Sequence, residues 1–149
     1  MTAVAAPFQW SIYVANHPGR DAIVKSDLVL SRSDLDLANE EVNGRIEPAP
    51  GAPPILIGWD ENRSPGWCGD YAVTKRALLL RLGWPSSKLL LAHVTTATGE
   101  PHAVLVSDDM VLDNRVSNIR HRLKTGYKGV AIQTPDNPNF WCDASSLFR

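Results

Sequence analysis

One cysteine stands where a thiol could serve as a nucleophile. Cys68 lies between Gly66 and Gly69, at the start of a stretch that contains no further helix breaker until Gly83. A thiol attacks an amide only as the thiolate, and a helix N-terminus or a nearby imidazolium favours that ionised form. The position therefore predicts a reactive thiol. The alternative is a buried, inert cysteine, which is common in protein cores.

His102 and Asp113 are the residues that could activate this thiol, because they lie on two apolar runs that predict a hairpin. With a loop at 106–109 the two side chains face each other, and with a loop at 108–109 they are diagonal neighbours on one face. A three-residue loop would place Asn114 beside the histidine instead. A carboxylate beside an imidazole fixes its tautomer and orientation. The alternatives are a surface histidine and a turn aspartate.

An acyl transfer also needs donors for the oxyanion of the intermediate. We expect the backbone N–H of Cys68 to be one donor and a side chain to be the other. The side chains that could donate are Trp59, Asn43, Gln9 and Trp67. Trp59 is favoured among them, although a packed loop aromatic is its alternative interpretation.

The remaining titratable candidates are expected to be structural. Asp70, in the first turn of the predicted helix, should cap that turn or add charge to it. Cys142 beside Trp141 should be a partly buried thiol. We expect no catalytic role for the histidines His17, His93 and His121.

The elements that must position these groups follow from hydrophobic periodicity. Apolar positions at steps of three and four predict a helix over about 34–46, capped by Ser33. The proline-rich stretch 47–65 predicts a stiff loop that walls a cleft. A helix should then begin at Cys68 and end before Gly83. Its buried face should comprise Tyr71, Ala72, Leu78, Leu79 and Leu82.

Strands should supply the rest of the fold. Alternation predicts a strand at 8–14, and a weaker one is predicted at 22–30. After the central helix, strands are predicted at 89–95, 102–106, 110–114 and 129–133. A central helix followed by consecutive antiparallel strands indicates an α+β fold.

Composition indicates one soluble domain over residues 1–149, with 44% hydrophobic residues to form a core. A net charge of −1 argues against nucleic-acid or membrane partners. A basic run is interpreted as a solvated helix or loop face, with an anionic-partner patch as the alternative. It comprises Arg115, Arg120, His121, Arg122, Lys124 and Lys128.

The cysteine count and the sequence ends bound the setting. Two cysteines without paired spacing predict neither a disulfide framework nor a zinc site, so a reduced compartment fits. We expect no cofactor. The N-terminus lacks a signal-peptide pattern, and no segment has the length of a membrane span. The sequence therefore predicts a cytoplasmic protein.

The sequence resembles the bacterial transglutaminase-like cysteine proteinases, a branch of the transglutaminase and papain-like superfamily. The resemblance covers about 36–133, with looser agreement at Trp59 and at Glu41-Val42-Asn43. The residues that carry it are Gly66–Gly83, Leu89–Val94, Pro101–Val106 and Val111–Asn114. It implies a transglutaminase-like fold in which Cys68 is the nucleophile, His102 the general base and acid, and Asp113 the residue that orients it.

One departure from the family concerns metal binding. Well-known members carry acidic residues on both sides of the cysteine and bind calcium there, whereas this chain has Trp67 and Gly69. Calcium needs several oxygen ligands, so the sequence predicts that this site is missing. Those relatives also usually act after export, and the lack of an export signal here is compatible with a small cytoplasmic or virus-encoded version.

Three functions follow from these residues. The first is a cysteine peptidase or amidase that acts on a protein or peptide through a thioester. The second is a transglutaminase or deamidase that uses the same Cys-His-Asp triad. The third is a binding or structural protein on an inactive transglutaminase-like scaffold. The native substrate and the oligomeric state do not follow from the sequence.

Overall fold

The computed structural model describes residues 2–54 and 56–148. Within these ranges the chain forms three α-helices and one seven-stranded antiparallel sheet, in the strand order β1-β7-β6-β2-β3-β4-β5. The helices are α1 (Phe8–Asn16), α2 (Arg32–Arg45) and α3 (Cys68–Arg81). The strands are β1 (Ala3–Val4), β2 (Leu90–Thr95), β3 (Pro101–Ser107), β4 (Met110–Asp113), β5 (Val116–His121), β6 (Lys128–Thr134) and β7 (Asn137–Asp143). This is the α+β class that the sequence predicts.

The sheet separates two hydrophobic clusters because successive strand residues point to opposite faces. On the helix face, Leu91, Leu105 and Leu112 pack with Val73 and Leu79 of α3. The other face is covered by the C-terminal segment, in a cluster that includes Val104, Val106, Val111, Ala144 and Phe148. The helix that carries Cys68 is thus fixed against the middle of the sheet.

Helix α3 begins and ends where the sequence predicts. It starts at Cys68, and Gly83 follows it with a φ of +98°, a conformation that glycine adopts without steric cost. Most of its circumference is buried, including Tyr71, Ala72 and Leu79. The prediction for Leu82 is wrong: this residue lies at the C-cap and is 42% exposed.

The hairpin of β3 and β4 has the short loop at 108–109. Ser107 pairs with Met110 and Leu105 with Leu112, which excludes the register with a loop at 106–109. His102 and Asp113 are consequently diagonal neighbours, the second of the two even-loop arrangements. The exposed loop residue Asp108 adopts a φ of +52°, which an aspartate in a tight turn tolerates.

Helix α2 confirms the predicted amphipathic segment, with its apolar positions Leu35, Ala38, Val42 and Ile46 buried. Its N-cap is Ser31, whose side chain accepts the N–H of Ser33, so the cap lies two residues before the predicted one. Several hydrogen bonds anchor the stretch that follows α2. Gly66 donates to the carbonyl of Glu47, and the Trp67 Nε1 donates to the carbonyl of Gly51 at 3.1 Å.

The strand predicted at 8–14 is wrong, because these residues form α1. The alternation of apolar residues misled the prediction, since a short apolar run fits either period. Trp10 and Tyr13, three residues apart, are the buried pair, whereas Phe8 is exposed. The Trp10 indole donates to Asn139 in β7, which ties the helix to the sheet.

The strand predicted at 22–30 is also wrong. This stretch contains no strand. It lies next to Ser86, whose N–H donates to the carbonyl of Val24. Val29 is almost fully exposed. Hydrogen bonds between Val24 and Ser86 and the packing of Leu30 on the core hold this stretch in place of strand pairing.

Three strands were not predicted: the short β1 at the sheet edge, β5 and β7. Strand β5 contains part of the basic run interpreted as a helix or loop face, and it lies at the sheet edge against α2. Strand β7 contains Pro138, which lowers a strand prediction, yet it pairs with both β6 and β1. In the part of the chain that the structure describes, no helix has the length and apolar character needed to cross a bilayer.

Candidate active site

Cys68 is the first residue of α3, and its side chain is half-buried. Its Sγ accepts the backbone N–H of Ala103 at 3.4 Å. This contact holds the sulfur against the beginning of β3, next to His102. Cys68 also belongs to the first turn of α3, where unpaired backbone N–H groups give a positive potential.

His102 lies between the thiol and a carboxylate. Its ring is 6% exposed, and its Nε2 lies 2.8 Å from the Oδ1 of Asp113. The Cys68 side chain lies beside the ring and acts on its pKa. Burial lowers the pKa of His102, but the hydrogen bond to Asp113 and the nearby Cys68 side chain, with their charges, outweigh it and raise the pKa to about 9. The site therefore favours an imidazolium.

Asp113, at the end of β4, is almost completely buried. Its Oδ1 also accepts the backbone N–H of Arg115 at 3.0 Å, and its Oδ2 accepts the Tyr127 hydroxyl at 2.5 Å and the Arg120 Nη2 at 3.3 Å. Burial raises the pKa of Asp113, yet the donors, led by His102, lower it to about 2. The carboxylate stays ionised next to the imidazole.

The structure thus brings the three predicted residues together as one group, which we name the Cys–His–Asp cluster. The cluster opens into a cleft of about 810 Å³. Residues of the proline-rich loop, including Pro48, Pro53 and Pro54, line one side of it, and this confirms the predicted cleft wall. Thr96 and Glu100 line it beside the start of β3.

Two of the four side chains considered as oxyanion donors lie in positions suited to that role. Trp59 and Gln9 both line the cleft. The Trp59 indole lies directly over the backbone next to the nucleophile, because a Cβ added at Gly69 would come 2.0 Å from its Nε1. Its N–H is thus near the Cys68 backbone.

The prediction for Asn43 is wrong in its geometry. Its Nδ2 donates to the backbone carbonyl of Asp113 at 3.0 Å, and Asn43 does not line the cleft. It supports the end of β4 from α2. The indole N–H of Trp67 likewise donates elsewhere, to the carbonyl of Gly51.

Asp70 caps α3 as predicted. Its Oδ2 accepts the N–H of Trp67 at 2.9 Å, and its Oδ1 accepts the N–H of Asp60 at 2.9 Å. Burial raises the pKa of Asp70. These bonds join the helix start to the loop that carries Trp59.

The other histidines and the second cysteine are not members of the Cys–His–Asp cluster. His17 pairs with Asp60, and His121 lies near Asp109 on the surface. His93 lines the cleft, and burial lowers its pKa. Cys142 is fully buried in β7, where burial raises the pKa of its thiol. The sequence predicted only partial burial for Cys142.

Sequence reasoning missed the residues that surround Asp113. Tyr127 and Arg120 both contact its Oδ2, and the Arg120 guanidinium also lies 5.6 Å from the centre of the Tyr127 ring. The sequence indicates Arg120 only as a member of the basic run. Tyr127 carries no local signal, because it reaches Asp113 from beyond two other strands.

Comparison with known proteins agrees with this geometry. The profile of the family described as bacterial transglutaminase-like cysteine proteinase BTLCP matches residues 3–147. The chain belongs to this family. The match extends well beyond the range 36–133 that the resemblance covers, and it includes α1 and β7. No curated protein sequence matches the chain.

Solved structures of the Legionella pneumophila protein LapG are similar to the chain. The calcium-bound form is 23% identical, with a TM-score of 0.58 over 74% of this chain and 68% of LapG. A second LapG structure is 20% identical, with a TM-score of 0.60 over 76% and 70%. The EGTA-treated form is 22% identical, with a TM-score of 0.55 over 68% and 62%. These similarities show that the fold is transglutaminase-like.

The residues that flank Cys68 do not fit a calcium ion. Calcium takes six to eight oxygen ligands, and neither Trp67 nor Gly69 carries a side-chain oxygen. The Trp67 indole instead bonds to the proline-rich loop at Gly51. Over residues 2–54 and 56–148, no group of three or more His, Cys, Asp or Glu side chains is arranged to hold a metal ion.

Proposed function

We propose that this protein is a cysteine peptidase that cleaves an amide bond of a protein or peptide through a thioester intermediate. The observation that carries the proposal is the Cys–His–Asp cluster at the mouth of α3, open to a cleft. Membership in a family of cysteine proteinases supports the same reaction class. A protein or peptide substrate follows from that class.

In the first step, His102 holds the proton as the imidazolium, and the Cys68 Sγ attacks the carbonyl carbon of the scissile amide as the thiolate. The carbonyl π electrons move to oxygen and form a tetrahedral oxyanion. When the oxyanion collapses, the C–N bond breaks and the His102 imidazolium gives its proton to the leaving amine. The products are a free amine and a thioester on Cys68.

In the second step, a water molecule attacks the thioester while His102 accepts one of its protons. Collapse of the second tetrahedral oxyanion breaks the C–S bond and releases a carboxylic acid. The sulfur leaves as the thiolate beside the His102 imidazolium, so the starting state is restored and one water is consumed for each amide bond cleaved. Asp113 stays ionised throughout and holds the imidazole in the tautomer that this exchange needs.

Both oxyanions need donors near the carbonyl oxygen. The backbone N–H of Cys68, at the helix start, has no partner within the helix, and the Trp59 Nε1 lies beside it over Gly69. We assign these two groups to the oxyanion, with Gln9 on the cleft wall as a further donor. Such donors typically contribute a factor of about 10²–10³ to kcat.

The experiment is a digestion of unfolded protein and peptide mixtures, with the new termini identified by mass spectrometry. We expect cleavage by the wild type and by Cys142→Ala, and none by Cys68→Ala. Added hydroxylamine separates the reactions: incorporation into glutamine side chains without chain cleavage would indicate the transglutaminase or deamidase function. No turnover of any substrate would favour the inactive scaffold and contradict the proposal.

A further inference from the structure

We propose that Tyr127 is a positioning residue for the Cys–His–Asp cluster, acting through Asp113. This inference rests on the proposed function. Tyr127 is the one side chain, among those described, that hydrogen-bonds to Asp113 and also packs against the His102 ring. Its hydroxyl lies 2.5 Å from the Asp113 Oδ2, and its ring meets the His102 ring at 5.4 Å and 70°.

The two oxygens of Asp113 have separate tasks. Oδ1 faces His102, and Oδ2 faces Tyr127 and, at a longer distance, Arg120. The last torsion of an aspartate side chain is broad and offers little intrinsic restraint. A short bond to Oδ2 therefore acts together with the Arg115 N–H on Oδ1 to fix the carboxylate, and with it the position of the imidazole.

The ring of Tyr127 restrains the histidine directly. An edge-to-face contact at this distance is a favoured aromatic arrangement. It limits how far the His102 ring can rotate towards the hydrophobic cluster on the face of the sheet opposite the helices. The tyrosine thus holds both partners of the His102–Asp113 bond.

Tyr127 connects two parts of the sheet that are not neighbours. Tyr127 immediately precedes β6, whereas Asp113 ends β4, and the strands β2 and β3 lie between them in the sheet. The hydroxyl contact therefore spans the hairpin that carries His102. No pairing within that hairpin could provide this restraint.

Arg120 is less suited to this task. Its side chain is 28% exposed and its contact with Oδ2 is 3.3 Å, whereas Tyr127 is buried and closer. A partly exposed arginine is mobile and screened by water. Burial and the neighbouring Asp113 raise the pKa of Tyr127 to about 12, so its hydroxyl remains a donor wherever a peptidase would work.

The test is a double-mutant cycle on kcat/KM. Tyr127→Phe keeps the ring and removes the hydroxyl, and we expect a 10- to 100-fold loss that falls on kcat more than on KM. In an Asp113→Ala background the same change should alter kcat/KM by less than about twofold, because the group through which it acts is gone. Equal losses in both backgrounds would overturn the inference.

Tyr71→Phe is the matched control. It also removes a buried tyrosine hydroxyl, which donates to the Ile46 carbonyl at 2.8 Å away from the cluster. We expect this variant to keep its activity within about twofold. A loss equal to that of Tyr127→Phe would mean that any buried hydroxyl deletion has this effect, and the inference would fail.

The pH profile separates positioning from stability. A looser His102–Asp113 bond stabilises the imidazolium less. In Tyr127→Phe, the upper limb of the plot of Cys68 alkylation rate against pH should therefore move to lower pH by half a unit or more. An unchanged limb, or one that moves to higher pH, would overturn the inference. If the wild type cleaves nothing, the proposed function fails; if it cleaves but the cycle is additive, only the role of Tyr127 fails.

Discussion

The Sγ of Cys68 accepts the backbone N–H of Ala103, the residue that follows His102 along β3, at 3.4 Å. The sulfur is therefore fixed to the main chain of the strand that carries its base. A side chain on α3 and a side chain on β3 keep their relative position because the helix start is docked on the strand. This contact explains how two elements distant in sequence build one chemical group.

The first prediction concerns the nucleophile. Cys68→Ala should abolish turnover, because no other thiol lies near His102, and it should leave the fold intact, since the side chain is only half-buried. Circular dichroism and a peptide cleavage assay check both parts. Retained hydrolysis in this variant would exclude the mechanism. Cys142→Ala, which removes the buried thiol in β7, is the control that should keep activity.

The second prediction concerns the residue that orients the base. Asp113→Asn should lower kcat/KM by roughly 10²–10⁴-fold, because the amide favours the wrong histidine tautomer and carries no charge. The loss should be smaller than that of Cys68→Ala. Steady-state kinetics on the cleaved peptide measures it. Full activity in Asp113→Asn would remove Asp113 from the mechanism.

The third prediction concerns stability at high pH. The pKa of His102 is about 9 in the folded protein, against an ordinary value near 6.5, so folding binds a proton more tightly. The stability this gives is fully present below about pH 6.5 and is lost as the pH rises through 9. The difference between the two pKa values corresponds to roughly 3 kcal/mol.

Urea unfolding at pH 6 and pH 9.5 measures that loss, with His102→Asn as the reference. The reference is needed because burial lowers the pKa of Lys75 to about 7, which makes the protein more stable as the pH rises. We expect the wild type to lose more stability than His102→Asn over this interval. Equal losses would contradict the raised pKa of His102.

The fourth prediction concerns the cleft next to the nucleophile. Gly69→Ala should displace the Trp59 indole, since the added Cβ would lie 2.0 Å from two of its atoms. We expect at least a tenfold loss of kcat and a destabilisation of about 1–3 kcal/mol. Gly44→Ala is the matched control, because nothing lies within 4 Å of its added Cβ. An unchanged kcat in Gly69→Ala would remove Trp59 from the oxyanion assignment.

Local signals made the centre of the site predictable. The start of α3 follows from glycines and a capping Asp70, and the even loop after β3 fixes His102 and Asp113 on one face. The length of that loop, chosen among two even loops and a three-residue loop, needed the structure. These features depend on residues close together in sequence, where spacing determines geometry.

Long-range contacts made the remainder unpredictable. Residues 8–14 fit both periods, and only the packing of Trp10 against β7 decides for a helix. The contact between Tyr127 and Asp113 crosses two strands, so no local sequence pattern links the two residues. Asn43 lies in the predicted helix α2, but it reaches the Asp113 backbone and not the cleft.

The most direct test of the account is the rate of Cys68 alkylation by iodoacetamide between pH 5 and pH 10. It uses the Cys142→Ser variant, so that one thiol reacts, with and without His102→Asn. We predict that Cys68 reacts at pH 6 much faster than a free peptide thiol, and that His102→Asn removes this advantage. A pH profile that matches the free peptide thiol in both proteins would contradict the claim that His102 activates the Cys68 sulfur.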